Sequence, residues 1–327
     1  MRITRIGTGP IIGPATSLSI GENIQGPSMI RVPDWLANPL GRYYLYFADH
    51  KGAYIRMAFA DAIEGPWTVH EPGSLRLSDS TMLTDAPAGT PEQMERIESG
   101  YRRVFGEENF FPHLLLDATT PHIASPDVHV DHERREILMY FHGLTDLAVQ
   151  ETKLATSTNG LDFTAAAAVL GRPYMRAFEH DGVTHALTMP GVFSRSIDGR
   201  TDFEQGPQLF VPAMRHSAVL VRDGVLHVLW SRVGDAPESI LYTTIELTDD
   251  WNEWVESDAT LVLRPEFDWE GVDAPVEPSV RSVAFGSVHQ LRDPAIFTEL
   301  VDDTERSYLL YAVAGESGIA LAEIDWA

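Results

Sequence analysis

The sequence predicts an all-β chain folded as a five-bladed β-propeller with four strands per blade. Three observations carry the prediction. A polar start, a strand-like run, a turn and further strand-like runs recur five times in the same order. Each recurrence supplies three or four short runs rich in β-branched and aromatic residues, broken by Asn-Gly, Asp-Gly or Gly-Pro signals, the pattern of strands joined by tight turns. The fifth recurrence stops at Ala327 after its third run, while the run at 2–12 belongs to no repeat. That N-terminal run is the expected fourth strand of the last blade, which closes the ring and leaves no open edge. The competing architecture is a β-sandwich, in which a shared order of motifs has no reason to recur.

Blade one is expected from 26–32 through 42–48 and 54–60, ending at 65–69. Blade two runs from 125–130 through 137–143 and 152–157, ending at 159–163. Blade three runs from 174–178, past the turn His180-Asp181-Gly182, to 192–196, ending at 198–203. Blade four runs from 216–221, past Arg222-Asp223-Gly224, through 225–230 and 240–245, ending near 251–255. Blade five opens on Leu291-Arg292-Asp293-Pro294-Ala295-Ile296-Phe297, continues at 308–313, turns at Ala314-Gly315-Glu316-Ser317-Gly318 and closes at 319–324.

The chain thus reads as one domain, 1–327, with an insertion at about 77–120 between blades one and two. Within it Thr90 is a candidate helix N-cap, followed by Pro91 and Glu92, and Tyr101 and Val104 continue at helical spacing. Such a helix either covers one mouth of the propeller or decorates its surface. Residues 264–288, rich in proline and acids, lead into blade five with Trp269 as their expected anchor.

Composition narrows the partners. Acids outnumber Lys and Arg 48 to 24, a net charge of −24 that repels phosphate backbones and anionic lipid, so no nucleic-acid or membrane partner is expected. No run approaches the ~20 apolar residues of a membrane span. The absence of cysteine excludes disulfides, thiolate nucleophiles and zinc–thiolate sites. The start, Met1-Arg2-Ile3-Thr4-Arg5, lacks an apolar signal core, which predicts a cytoplasmic protein. Lysine occurs only at 51 and 153, so the positive charge is almost all arginine, which binds carboxylates bidentately. The oligomeric state is left open.

In a propeller the first strand of each blade lines the central channel, and residues at its start converge on one mouth. Aligning the first strands places Gly26, Ser125, Tyr174, His216 and Asp293 at equivalent positions. Asp127 and Arg176 follow two residues later on the same strand face. His122 and His289 lie just upstream of their strands. The turns after the second strands add Asp49, His50 and Lys51, then His142, Arg232, Asp235 and Glu316. From this set Asp127, Asp293, Glu316 and His216 are the candidate catalytic groups. Tyr174, Arg176, Arg292, His122, His142, His50 and Gln25 are the candidate substrate-binding groups. No metal ligand is assigned and no cofactor is required; a structural divalent cation in the channel is compatible, but no ligand spacing is diagnostic.

The motifs Gly26-Pro27-Ser28-Met29-Ile30, Ser125-Pro126-Asp127-Val128-His129 and Asp293-Pro294-Ala295-Ile296-Phe297 resemble the blade openings of the five-bladed propeller glycoside hydrolases, the clan around families 43, 32, 68 and 117. The runs Tyr44-Leu45-Tyr46-Phe47 and Leu138-Met139-Tyr140-Phe141 resemble its second strands, and 155–163 its outer hairpins. The resemblance spans essentially the whole chain. It implies an Asp base from blade one, an orienting Asp from blade two and a Glu acid from blade three, two carboxylates flanking the glycosidic bond. Only Asp127 matches by position: Gly26 stands where the blade-one Asp is expected, and 171–174 carries no Glu.

The resemblance therefore implies a divergent glycoside hydrolase acting on an oligosaccharide through a rewired site. Asp293 would serve as a carboxylate, with Glu316 or a histidine as acid; family 117 gives precedent for a histidine. The alternatives are a lyase on uronate-containing chains, with Arg176 or Arg292 neutralising the carboxylate, and a non-catalytic carbohydrate-binding propeller.

Overall fold

The computed structural model describes residues 1–106 and 112–327, and it contains five four-stranded antiparallel sheets. Strand β1 (Arg2–Ile6) is set apart from its sequence neighbours. Blade I comprises β2 (Gln25–Arg31), β3 (Tyr43–Ala48), β4 (Tyr54–Ala60) and β5 (Thr68–Arg76). Blade II comprises β6 (Ile123–Asp131), β7 (Glu136–Asp146), β8 (Val149–Ser157) and β9 (Thr164–Gly171). Blade III comprises β10 (Arg176–His180), β11 (Val183–Thr188), β12 (Val192–Ser196) and β13 (Glu204–Gln208). Blade IV comprises β14 (Met214–Arg222), β15 (Val225–Arg232), β16 (Ile240–Glu246) and β17 (Thr260–Leu263). Blade V comprises β18 (Arg292–Val301), β19 (Thr304–Ala312), β20 (Ile319–Asp325) and β1.

The ring closes as the sequence predicts. β1 pairs antiparallel with β20, from Arg2 opposite Asp325 to Ile6 opposite Leu321. Arg5 fixes the closure from the side: its Nε and Nη2 donate to Glu270 at 2.7 and 2.9 Å, and Tyr311 donates to the same carboxylate at 3.0 Å. Removing residues 1–6 deletes this strand and both arginine bonds. The variant is expected to melt at lower temperature and to self-associate through the bared β20 edge, as read by calorimetry and size-exclusion chromatography.

The core lies between the blades, and strand periodicity explains it. Along β3, Tyr43, Leu45 and Phe47 pack toward blade V, while Tyr44, Tyr46 and Ala48 pack toward blade II. Alternate side chains leave opposite faces of a strand, and here both faces are covered, so the run is continuously apolar. β19 repeats this, with Tyr308 and Leu310 facing blade I and Leu309 and Tyr311 facing blade IV.

The outer boundaries differ from the expectation: β5, β9, β13 and β17 run to 76, 171, 208 and 263, past the expected blade ends at 65–69, 159–163, 198–203 and 251–255. The shift is largest in blade IV, where the fourth strand is β17 and not the stretch near 251–255. Trp251 and Trp254 instead bury their rings against Phe178 and Phe193 of blade III, so the inter-blade core takes residues that read as strand.

The insertion holds helix α1 (Pro91–Phe105) and the short helix α2 (Leu114–Thr119). Thr90 caps α1 as expected, within a reciprocal capping box: its hydroxyl accepts from the Gln93 N–H at 3.3 Å, and the Gln93 side chain accepts from the Thr90 N–H at 2.8 Å. Residues 107–111 of the expected insertion lie outside the described residues. Among the described residues no helix is long and apolar enough to cross a membrane.

A lidded mouth as candidate active site

The first strand of four blades carries a β-bulge at the mouth. The ladder slips between Gln25 and Ser28, Ala124 and Asp127, Met214 and Ser217, and Arg292 and Ala295. Gly26, Ser125 and Asp293 occupy the left-handed region at the first bulged position, with φ of 62°, 47° and 46°, and Tyr174 reaches 59° just before β10. For non-glycine residues this conformation carries strain, and it re-aims the side chain out of the strand's alternation. The register corrects the predicted alignment in blade IV by one residue: Arg215, not His216, stands opposite the turn as Gly26, Ser125 and Asp293 do.

Gly26 has a steric reason to lack a side chain. A Cβ there would lie 2.9 Å from Ser125 Cα, closer than real carbon atoms approach. The space that a side chain at 26 would need is filled by the backbone of blade II.

Two groups of buried polar side chains occupy the mouth. The first is an alternating chain of charges. His50 Nδ1 lies 3.0 Å from Glu316 Oε1, and Arg292 Nη1 donates to that oxygen at 2.8 Å. Arg292 Nε lies 3.4 Å from Glu238 Oε2, and Arg215 Nη1 donates to Glu238 at 3.2 Å. Asn23 and Ser231 add bonds of 2.7 Å to Glu316 and Glu238. Burial pushes the Glu316 carboxyl upward, but the charges and hydrogen bonds of His50 and Arg292 outweigh it and hold the group well below the usual carboxylate range. Glu316 is thus a fixed anion rather than a proton donor.

The second group is a row of rings ending on a carboxyl. His122 packs 6.0 Å from His142, His142 lies 4.3 Å from Tyr174, and Tyr174 lies 4.8 Å from His216. His216 Nδ1 lies 3.2 Å from Asp293 Oδ1, and the Asp293 backbone N–H points at the same nitrogen at 3.4 Å. Burial lowers all three histidines well below their ordinary value, with Arg215 adding to the effect at His216. Burial, followed by the charge on Glu316, pushes Asp293 up to about 7. Neither Asp293 oxygen nor His216 Nε2 has a hydrogen-bond partner among the described residues.

Above these groups lies a cavity of about 530 Å³ roofed by α1. Ile97, Tyr101, Val104 and Phe105, spaced along one helix face, look down into it, while His50, Tyr174, Arg215 and His216 form its floor. The insertion therefore covers the mouth. It is clasped on one side by Tyr101, which donates to the Ala148 carbonyl at 3.4 Å, and on the other by the Arg281 guanidinium 4.3 Å from the Phe105 ring. Asp117 of α2 also reaches the wall, 3.0 Å from Lys51 Nζ.

The candidate residues divide accordingly. Asp293, His216, Tyr174, His142, His122, His50, Glu316 and Arg292 meet at this mouth. Gln25, also buried, receives a 3.4 Å bond from Ser125. Asp127 and Arg176 do not join the mouth cavity. Asp127 accepts from the Ala177 N–H and lies against His129, both at 2.8 Å, in a separate cavity of about 370 Å³ lined by the lower parts of the inner strands. Arg176 bars the channel, donating to the Ser217 and Pro126 carbonyls at 3.0 and 3.1 Å. His289 contacts the Ala274 carbonyl and Arg232 pairs with Asp235, both away from the cavity. Sequence reasoning missed Asn23, Asp117, Arg172, Arg215, Glu238 and Arg281. Of these only Arg215 left a signal, as the neighbour of His216. Among the described residues no three His, Asp or Glu side chains are grouped to hold a metal ion.

No protein-family model matches the sequence. The uncharacterized protein R118 of Acanthamoeba polyphaga mimivirus is 33% identical over 351 aligned positions, covering 98% of this chain and 90% of that protein. Solved structures with the same fold include a member of the family 130 mannoside phosphorylases and glycoside hydrolases that target β-1,2 mannosidic linkages, with a TM-score of 0.60 at 10% identity over 99% of this chain and 94% of that one. A family 43 enzyme from Xanthomonas citri gives 0.58 at 12% identity over 99% and 92%. An endo-1,4-β-xylanase from Bacteroides thetaiotaomicron gives 0.56 at 13% identity over 94% and 91%.

Proposed function

The chain belongs to the family of mimivirus protein R118 and has the five-bladed propeller fold of the glycoside hydrolases, and on that footing we propose that it cleaves a glycosidic bond of an oligosaccharide at the lidded mouth, with His216 and Asp293 acting as one proton-transfer pair. The observation that carries the reading is this pair: a buried carboxyl with a raised proton affinity, 3.2 Å from Nδ1 of a histidine that lines the cavity and whose Nε2 has no hydrogen-bond partner among the described residues.

The chemistry follows from one proton. When Asp293 is protonated, its O–H, within 3.2 Å of His216 Nδ1, can turn to donate to that nitrogen, and the imidazole then carries its hydrogen on Nε2 as a free donor. When Asp293 is ionised, Nδ1–H donates to the carboxylate and Nε2 becomes an acceptor. The pair thus presents an acid in one state and a base in the other, as protonating a leaving oxygen and then activating water require. Asp117, the one carboxylate on the cavity wall among the described residues, is the second group that this chemistry needs. Glu316, held ionised, keeps the proton on Asp293 by repulsion and is a positioning residue.

The reading is tested by screening aryl glycosides and oligosaccharides for new reducing ends. Turnover is expected to fall as the pH rises through about 7, where Asp293 loses its proton. Products absorbing near ~232 nm would instead mark proton abstraction and elimination on a uronate chain. Binding of sugars with no turnover at any pH would leave a carbohydrate-binding propeller and overturn the catalytic reading.

A further inference from the structure

The face opposite α1 holds a further cavity of about 400 Å³, at the seam of blades III and IV. Strand β10 runs from the mouth to His180, so the turn after it lies at the far end of the blade from the lid. The wall of this cavity is aromatic: His180, His185, Trp251 and Trp254 line it, with the His185 ring 5.3 Å from Trp254 and 5.9 Å from Trp251. The rim is acidic, formed by the exposed Asp181, Asp202, Glu204 and Asp249.

The groups left free are acceptors. Arg195, the one Lys or Arg on the wall among the described residues, is already engaged. Its Nε and Nη2 donate to Glu204 at 3.1 and 3.0 Å, and its guanidinium lies 4.1 Å from the Trp251 ring. Asp249 makes no side-chain hydrogen bond or ion pair among the described residues, and Asp181 has His180 Nε2 at 3.6 Å. Behind the rim lies a buried acceptor. His185 is 5% exposed, and its Nδ1 lies 3.1 Å from the Val183 carbonyl. A carbonyl only accepts, so Nδ1 carries the hydrogen and Nε2 the lone pair. Burial lowers the pKa of the ring and keeps it neutral. Nε2 makes no hydrogen bond among the described residues, although polar atoms of buried side chains normally find a partner.

A lone pair among aromatic rings, under a rim of free carboxylates, is matched by a cationic N–H donor on an apolar stem. A neutral hydroxyl satisfies the lone pair but gains less from the charge of the rim. We infer that this cavity binds a primary ammonium group carried on an aliphatic chain or a sugar ring, with an N–H directed at His185 Nε2 and its charge met by Asp181 and Asp249. The cavity is separate from the lidded mouth, so the inference stands apart from glycosidic turnover.

Binding measured on the whole chain tests it. Calorimetric titrations near neutral pH would compare putrescine with 1,4-butanediol and D-glucosamine with D-glucose, at low and high sodium chloride. At least one amine is expected to bind roughly tenfold more tightly than its neutral parent at low salt, with the advantage shrinking as salt rises. Asp181→Asn combined with Asp249→Asn is expected to remove that advantage at an unchanged melting temperature, because both side chains are exposed. Asp302→Asn combined with Asp303→Asn makes the same change of charge on the exposed turn between β18 and β19 and is expected to leave the advantage in place. His185→Phe keeps a ring, removes the acceptor and is expected to weaken amine binding roughly tenfold. A preference for glucosamine supports an amino sugar as the ligand, and a preference for putrescine supports an aliphatic amine. Amines that bind no better than their neutral parents, or that lose as much affinity in the Asp302 and Asp303 variant, overturn the inference.

Discussion

Asp293→Asn is expected to lower turnover by about 10²–10⁴-fold, the usual scale for losing a positioned acid–base group. Asparagine preserves the shape of the buried side chain but cannot pass a proton to His216 Nδ1. KM should change little, because Asp293 lies behind His216 and is 0% exposed. Asp127→Asn is the matched control. It sits in the other cavity, past the Arg176 bar, and is expected to retain turnover.

The same substitution is expected to raise stability at high pH. The Asp293 carboxyl has its folded-state pKa raised from 3.8 to about 7, so the folded state holds the proton more tightly than the unfolded chain. Its contribution to stability is fully present below about 4 and is lost as the pH climbs to about 7, above which the buried carboxylate is a standing cost. Melting curves of wild type and Asp293→Asn should therefore separate progressively from pH 5 to pH 8, with the variant above. A variant that is slower yet more stable identifies a group kept for chemistry rather than for folding. Equal turnover in the two proteins would remove Asp293 from the mechanism.

Arg292→Met is expected to destabilise the fold by about 3–5 kcal/mol, the scale for removing one partner from a buried ion pair. Arg292 stands between Glu316 and Glu238, both almost fully buried, and its loss brings two carboxylates into one low-dielectric space with His50 and Arg215 left to hold them. Adding Glu316→Gln should recover part of the loss, because it removes one uncompensated charge. Denaturant unfolding of the two single variants and the double variant gives the coupling energy directly. Additive effects would mean that the two groups do not form one network.

Much of the fold was legible because strand and turn chemistry is local. Asp181-Gly182 and Asp223-Gly224 adopt the left-handed pairs that such turns require, and β1 was the one run without a repeat. The blade IV error has a tertiary cause: tryptophans that read as strand were taken by the seam with blade III. The mouth was legible where residues belong to the inner strands, as with Asp293, Tyr174 and His142. It was not legible for Asp117 or Arg281, which reach the cavity from connections whose path no periodicity reports. Asp127 points into the channel among the inner strands, as its place in the repeat implies, but it lines the cavity past Arg176 rather than the one under α1, a difference in depth that strand alternation does not report.

The contact between Gly26 and Ser125 carries an evolutionary consequence. An acid cannot be introduced at 26 by one substitution, because its first carbon would meet the neighbouring main chain. Blade II would have to retreat first, and nothing in a single exchange at 125 moves a backbone. A carboxylate at this seam therefore requires coordinated change in two blades, and single exchanges that add an acid to the mouth are sterically open only elsewhere.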